Sequence, residues 1–167
     1  NLPDLLAAAP ETQFLVISPV DIQTSPNLTV IRARRENEAF AAGYATALVG
    51  YDWRTAGLLP ADTALGASLA DAFRNGQSFL CGTCTPYYAP FAAFPLVEAL
   101  PSASTAADWQ AGMQEILQSY VYSLYISPEA ASPELYNFLT TLNLPIVGGA
   151  APPQEIRPLY AATISTD

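Results

Sequence analysis

Residues 121–149, VYSLYISPEAASPELYNFLTTLNLPIVGG, decide the fold of this chain. Residues 121–126 form an unbroken apolar and β-branched run, which is typical of a strand buried on both faces. Ser132 followed by Pro133 has the chemistry of a helix start, and apolar side chains then recur at helical spacing. A second short strand, residues 144–147, ends in a diglycine. Strand, helix and strand within about 30 residues predict a βαβ unit with a right-handed crossover.

The composition is that of a largely buried chain. Hydrophobic residues make up 51% of the 167 positions and charged residues only 13%, so most side chains must lie in a core. No apolar run is long enough to span a bilayer and no secretory signal is recognisable, so we expect no direct membrane insertion of this segment. The chain opens on Asn1 rather than on a methionine, which suggests part of a longer precursor.

The charged residues exclude several classes of function. Six arginines and no lysine stand against fifteen acidic residues, a formal net charge of −9, so the chain cannot offer a basic stripe to nucleic acid. The absence of histidine removes Ser-His and Cys-His nucleophile pairs and the usual zinc ligands. The absence of lysine removes Schiff-base chemistry and the phosphate-loop lysine. The sequence therefore predicts no cofactor, no metal site and no enzymatic activity.

Helices and strands are predicted to alternate along most of the chain. Besides the opening unit, the predicted helices are residues 2–9, 36–49, 65–75 and 106–119, and the predicted strands are residues 12–18, 28–32, 55–59, 77–80, 94–100 and 159–164. Gly76 is expected to end the third of these helices, and Phe40, Tyr44 and Leu48 are expected to face the core from the second. Because the strands are apolar throughout, the pattern predicts a three-layer, doubly wound α/β fold. Its mostly parallel sheet carries helices on both faces.

Six segments then follow one another in a familiar order: PNLTVI (26–31), EAFAAGY (38–44), TAGLL (55–59), AFRNG (72–76), DWQ (108–110) and PIVGG (145–149). Their order resembles the class I fold of periplasmic binding proteins, and most closely the basic membrane lipoprotein branch of ABC-transporter solute receptors. In that family two α/β lobes close on a small ligand, often a nucleoside or a sugar, and pass it to a membrane transporter.

The resemblance also implies an organisation for the chain. Within a single α/β domain predicted over residues 1–167, residues 1–32 resemble the end of the first lobe and residues 34–167 resemble the second. The family's N-terminal half, with its acidic ligand-binding motif, has no counterpart in the sequence. The resemblance implies an extracytoplasmic location, a small-molecule solute as ligand, and an ABC-transporter permease as partner.

Cys81 and Cys84 have the CxxC spacing of thiol oxidoreductases. A catalytic pair of this kind begins a helix, whose dipole lowers the pKa of the first thiol. Here the next residues are TPYYAP, which cannot start a good helix, and the pair follows a predicted strand. A structural disulfide that shapes the aromatic loop at residues 85–91 is the favoured interpretation, and it fits an exported protein. Redox catalysis, free thiols and metal binding remain as alternatives.

The candidate ligand-binding residues follow the predicted strands at their carboxyl ends, where open α/β sheets bind ligands. They are Asp62, Tyr87, Tyr88, Ser127, Glu129, Gly148 and Gly149. The carboxylates would accept hydrogen bonds from ligand hydroxyls, a tyrosine would stack on a ligand ring, and the diglycine would allow close approach. In the alternative interpretation the tyrosines pack their own loop and the carboxylates are only solvated.

Three hypotheses for the function follow. The first is a non-enzymatic receptor lobe that recognises a small polar solute together with a partner lobe. The second is a structural or interaction protein, for example a homodimer, which kept the fold without a ligand cleft. The third is a thiol oxidoreductase. The receptor hypothesis requires the tyrosines and the cysteine bend to lie on the same edge of the sheet as the diglycine.

Overall fold

Residues 1–35 and residues 36–167 form two separate units of the chain. The computed structural model describes residues 1–18, 22–63 and 65–165. The first unit contains helix α1 (Leu2–Ala8) and two parallel strands, β1 (Phe14–Ser18) and β2 (Leu28–Arg32). Asn1 caps α1, because its side-chain oxygen accepts the amide proton of Asp4 at 3.1 Å. The bounds of these elements agree with the sequence-based ones to within two residues.

The second unit alternates helices and strands around one sheet. Its elements are α2 (Arg35–Val49), a 3-10 turn (Tyr51–Trp53), β3 (Thr55–Pro60), α3 (Gly66–Cys81), β4 (Leu96–Leu100), α4 (Ala106–Leu117), β5 (Ser123–Ile126), α5 (Pro133–Thr140), β6 (Ile146–Gly148), a second 3-10 turn (Arg157–Leu159) and β7 (Tyr160–Thr163). The sheet has the order β4-β3-β5-β6-β7, and every neighbouring pair is parallel. Its amino edge is where the strands begin, and its carboxyl edge is where they end.

Apolar clusters cover both faces of this sheet. Every residue of β3, β5 and β6 is buried, as expected for strands with helices on either side. On one face α4 and α5 contribute Trp109 and Leu135 to a cluster with Leu124 of β5. On the other face α2 and α3 contribute Ala42 and Phe73 to a separate cluster. The predicted doubly wound α/β fold, with a parallel sheet between two helical layers, is confirmed.

The predicted core-facing side of α2 is wrong. Phe40 and Leu48 are exposed, and the buried side of the helix is the one with small residues, including Ala42 and Gly43. The reason is the close approach of α3. A β-carbon on Gly43 would collide with the carbonyl of Phe73, so only a residue without a side chain fits there. The small residues therefore allow the backbones of α2 and α3 to approach more closely than large side chains would.

The predicted strand at residues 77–80 is also wrong, because those residues are the last turn of α3. Gly76 does not end the helix; it lies against the backbone of Phe40 at the crossing with α2. Gln77 is buried, and its side-chain amide donates to the carbonyl of Trp53 at 3.0 Å. The helix starts beyond the carboxyl end of β3 and leads to β4, which is parallel to β3. It must therefore return the chain to the amino edge, and Cys81 lies there.

Candidate functional site

The carboxyl ends of β3 and β5 form the topological switch point of the sheet. The two strands are neighbours, with Leu58 opposite Ile126. In the sheet, β4 is the outer neighbour of β3 and β6 is the outer neighbour of β5. From β3 the chain therefore continues away from β5, and from β5 it continues away from β3. Open α/β sheets bind ligands in the crevice that this divergence creates. Asp62, Ser127 and Glu129 all follow these two strands, so three of the predicted residues are brought to this place.

Asp62 links two loops of the carboxyl edge. Its Oδ1 accepts hydrogen bonds from both the amide and the hydroxyl of Ser102, each at 2.7 Å. The Ser102 hydroxyl and then its amide hold the pKa of the Asp62 carboxyl below its ordinary value. Asp62 as a whole is exposed to solvent. The carboxylate is thus ionised and held in place, with part of its accepting capacity used by the chain itself.

Ser127 has an orphaned polar group. The residue is 0% exposed, and its hydroxyl has no hydrogen-bond partner within the described residues. Its amide donates to the carbonyl of Leu58 at 3.1 Å, which fixes it beside the end of β3. The hydroxyl of Thr63, just past β3, is also buried without a partner among the described residues, and Glu129 is half-buried. Leaving a buried hydroxyl unpaired costs about 1–3 kcal/mol, so a water molecule or a ligand group that reached either of these two hydroxyls would form a favourable hydrogen bond.

The space beside the diglycine is filled by the chain itself. The ring of Tyr160 crosses Gly148 so closely that a β-carbon there would overlap it. Pro128 and the hydroxyl of Tyr125 occupy the corresponding space at Gly149. Burial raises the pKa of the Tyr160 hydroxyl, which donates to the oxygen of Tyr136 at 3.1 Å. The glycines therefore serve internal packing, and the room that the sequence assigned to a ligand is taken.

Cys81 and Cys84 form a disulfide, with their α-carbons 5.0 Å apart. This confirms the favoured interpretation of the pair. The bridge lies at the carboxyl terminus of α3, and the backbone of Gly82 turns there with a φ of +69°. A thiolate at this end of a helix would meet the negative pole of the dipole, which opposes the arrangement that activates a catalytic cysteine.

Tyr87 and Tyr88 lie at the amino edge, opposite the diglycine. The amide of Tyr87 donates to Oδ1 of Asp52 at 2.6 Å, and Asp52 precedes the first residue of β3. The prediction that the tyrosines and the cysteine bend share an edge with Gly148 is therefore wrong. The physical reason is the extra helical turn at residues 77–81, which carries the chain past the sheet before the loop begins. The receptor hypothesis in the form that required a shared edge is therefore wrong. A form without stacking residues remains, and it rests on the carboxyl-edge polar groups alone.

A buried ion pair holds this loop, and the sequence-based analysis did not detect it. Nε of Arg54 donates to Oδ2 of Asp52 at 3.0 Å, and both side chains are almost fully buried. Burial raises the pKa of Asp52, but hydrogen bonds from Tyr87, Arg54 and Tyr88 and the guanidinium charge outweigh it. The net pKa of this carboxyl lies below its ordinary value. The available signal was Arg54 itself, a charged residue immediately before a fully apolar strand.

The guanidinium of Arg54 has further contacts in the same region. It donates to the carbonyl of Tyr88, and to that of Ser119 at 3.4 Å. It also lies over the ring of Phe94, 5.6 Å from the ring centre. One side chain therefore ties the aromatic loop, the end of α4 and the start of β3 together.

The described residues contain neither a helix that could cross a membrane nor a cluster that could hold a metal ion. No helix in residues 1–18, 22–63 or 65–165 has both the length and the apolar character to cross a membrane. Among the same residues no three or more His, Cys, Asp or Glu side chains are gathered where they could hold a metal ion.

Comparison with known proteins reveals similarity at the level of structure. No protein-family model matches the sequence, and neither does any curated protein. The chain is similar in structure to GanP, a glucose-galactose binding protein from Geobacillus stearothermophilus, with a TM-score of 0.55, 17% identity and coverage of 90% of this chain and 54% of GanP. It is also similar to the periplasmic component of an ABC-type sugar transport system from Hahella chejuensis, with a TM-score of 0.52 and 12% identity, again over 90% of this chain and 54% of the other.

A third similar structure is full-length LpoA from Haemophilus influenzae, with a TM-score of 0.49 and 22% identity over 87% of this chain and 25% of LpoA. The chain spans about half the length of the two sugar-related proteins it matches. At identities of 17% and 12%, the similarity to GanP and to the Hahella chejuensis component establishes only that the chain shares its α/β fold with parts of these two proteins.

Proposed function

We propose that this chain is a lobe of an extracytoplasmic, non-enzymatic solute receptor, which binds a small polar ligand at the carboxyl edge of its sheet. The observation that carries the proposal is the buried, unpartnered hydroxyl of Ser127 at the switch point between β3 and β5. Thr63 supplies a second such hydroxyl, and Asp62 supplies an ionised carboxylate beside them. Hydroxyl and carboxylate groups of this kind suit a ligand rich in hydroxyls.

The fold supports a sugar or a nucleoside as the ligand class. Two of the similar structures are described as a glucose-galactose binding protein and as a component of a sugar transport system. The resemblance of segments such as EAFAAGY and PIVGG favours the basic membrane lipoprotein branch. In a receptor of that kind a second lobe closes on the solute, and an ABC-transporter permease takes it up.

The test measures binding to the 167-residue chain by nuclear magnetic resonance. Glucose, galactose, ribose and adenosine are titrated to about 10 mM, which nearly saturates a site with a Kd of about 1 mM. We expect amide shifts at Thr63, Ser127 and Glu129 with at least one of these ligands. No shift with any of them, or shifts confined to the amino edge, would contradict the proposal.

Ser127→Ala separates a binding role from a structural one. Because the hydroxyl has no partner in the part of the chain that the structure describes, its removal should leave the unliganded protein as stable as before or stabilise it slightly. The same substitution should weaken binding of the active ligand by about tenfold, as expected for one lost hydrogen bond. A stability loss with unchanged affinity would show that the hydroxyl serves the fold. Ser132→Ala, which removes the cap of α5, is the matched control and should lower stability alone.

A further inference from the structure

The amino edge of the sheet contains a cavity that the proposed function does not use. Its volume is about 430 Å³, and it lies between the last turn of α2, the Tyr51–Trp53 turn and the aromatic loop. Four aromatic rings line it, those of Tyr51, Trp53, Tyr87 and Tyr88. The volume is within the range of small-molecule sites, and the whole lining belongs to the unit formed by residues 36–167.

The rings are open to solvent although their backbones are fixed. Tyr51, Tyr87 and Tyr88 are 65%, 76% and 62% exposed. Their loop is held from below by the ion pair of Asp52 with Arg54 and by the hydrogen bond from the Tyr87 amide to Asp52. Large apolar groups presented in this way are partly pre-organised for contact, because the loop backbone has little conformational freedom left to lose when a ligand binds.

The electrostatic character of the cavity is negative. Ala47 and Leu48 in its wall belong to the last turn of α2, where the carbonyls of a helix carry partial negative charge. No basic residue stands in that last turn to offset them. The nearby guanidinium of Arg54 is neutralised by Asp52, and the chain as a whole carries a formal charge of −9. Aromatic rings carry negative potential on their faces, which a cation between these four residues can contact.

We propose that this cavity is a second ligand site, which binds a small organic ammonium ion. A methylated ammonium group is recognised by aromatic faces through cation–π attraction, and its methyl groups fill apolar space. The helix terminus adds a favourable field for a cation and an unfavourable one for an anion. A neutral ring could stack on the same tyrosines, but it would gain nothing from the field.

A pair of isosteric ligands tests the charge requirement directly on the unmodified chain. Choline and 3,3-dimethylbutan-1-ol have the same shape, but only choline carries a charge. We expect calorimetric titration to show choline binding about two- to fivefold more tightly than the neutral alcohol, as a solvent-exposed cation–π site implies. Equal affinity for the two, or no binding of choline, would overturn the proposal.

Substitutions locate the site. Tyr87→Leu should weaken choline binding by about two- to fivefold, whereas Tyr87→Phe should keep most of it, because the ring rather than the hydroxyl makes the contact. Phe91→Leu is the matched control: Phe91 is in the same loop and 71% exposed, but it is not among the residues that line the cavity. A loss of binding in the Phe91 variant equal to that in the Tyr87→Leu variant would contradict this location.

A methylated ammonium group can belong to a free small molecule or to a modified lysine of a protein partner. A peptide that contains trimethyllysine distinguishes these two sources. If the natural ligand is a free small molecule, the peptide should bind no more tightly than choline, because the cavity contacts only the ammonium group. A peptide affinity more than about tenfold higher would mean that the ammonium belongs to a protein partner, and the assignment to a free small molecule would be wrong.

Discussion

The two edges of the same parallel sheet have opposite chemistry. The carboxyl edge has polar groups, among them the unpartnered hydroxyl of Ser127 and the ionised Asp62. The amino edge has exposed aromatic rings on a frame made by a buried ion pair and a disulfide. Parallel strands with crossover helices enforce part of this difference, because helix N-termini gather at one edge and C-termini at the other. This difference is the basis for proposing different ligands at the two edges, a hydroxyl-rich solute and a cation.

Backbone strain follows the same division. Asp52, Trp53, Cys84 and Tyr120 all have positive φ angles between 47° and 60°, and all lie where strands begin or α3 ends. Non-glycine residues keep such angles only when surrounding contacts over-determine them. At the amino edge these contacts are the hydrogen bonds of Asp52 and Arg54. This frame is the part of the molecule whose loss should matter most.

The largest expected effect is that of Arg54→Met, which removes the cation from the buried pair. Asp52 would then be buried without its partner, and the loop carbonyls would lose a donor. We expect the midpoint of urea unfolding to fall by about 1 M or more. Arg74→Met removes an exposed arginine that pairs with Asp71 and should change the free energy of unfolding by less than about 0.5 kcal/mol. Equal effects for the two variants would refute the special role of the amino-edge frame.

Next comes Gly148→Ala at the carboxyl edge. The added methyl group would overlap the ring of Tyr160, and relieving this overlap should cost about 1–3 kcal/mol of unfolding free energy. The same substitution combined with Tyr160→Leu should cost less than the sum of the two single changes, which chemical denaturation of all four proteins measures. Strict additivity would mean that Tyr160 does not determine the glycine at this position.

A smaller effect is expected from Cys81→Ser combined with Cys84→Ser. The bridge closes a short loop, so chain entropy limits its contribution to about 2 kcal/mol or less. We expect the choline affinity of the amino-edge cavity to fall, while amide resonances near Ser127 stay unchanged. Movement of the Ser127 resonances would indicate that the two edges are coupled.

The smallest expected effects are on how steeply the stability of the folded chain depends on pH in acid. The pKa values of Asp52 and Asp62 both lie below the ordinary value near 3.9, so each carboxylate stabilises the folded chain above about pH 4. That stabilisation disappears as the pH falls through the folded-state pKa. The stability of Asp62→Asn should therefore depend less steeply on pH between about 4 and 2 than that of the wild type. Asp52→Asn should show the same flatter slope, together with a large loss of stability at every pH because Arg54 would be buried without its anion. Denaturation at several pH values measures the slopes, with Asp71→Asn as the exposed control. Slopes as steep as in the wild type would contradict the hydrogen bonds assigned to these groups.

The sequence alone determined the layers of this fold. The apolar strands, the Ser132-Pro133 helix start and the regular alternation of elements are local patterns, and they predicted a parallel sheet between helices without any knowledge of contacts. The disulfide was also predictable, because the residues after Cys84 cannot begin a helix. Three carboxyl-edge residues, Asp62, Ser127 and Glu129, were placed correctly because they directly follow strands.

The edge at which the aromatic loop lies, and the side chains that fill the space at the diglycine, could not be predicted from the sequence because both depend on contacts between distant residues. Residues 77–80, QSFL, are a short segment with two polar and two apolar residues, and a pattern this short fits a strand as well as the last turn of a helix. If these residues are interpreted as a strand, the chain runs from the amino edge to the carboxyl edge at this point. Tyr87 and Tyr88 are then predicted at the carboxyl edge, whereas they lie at the amino edge. Likewise, a glycine shows in sequence only that a side chain is absent, whereas the neighbour that requires its absence, Tyr160 at Gly148 or Phe73 at Gly43, is distant along the chain. Local sequence patterns determine whether a segment tends to form a helix or a strand. Packing between residues distant along the chain determines which way the segment runs in the fold and what it contacts.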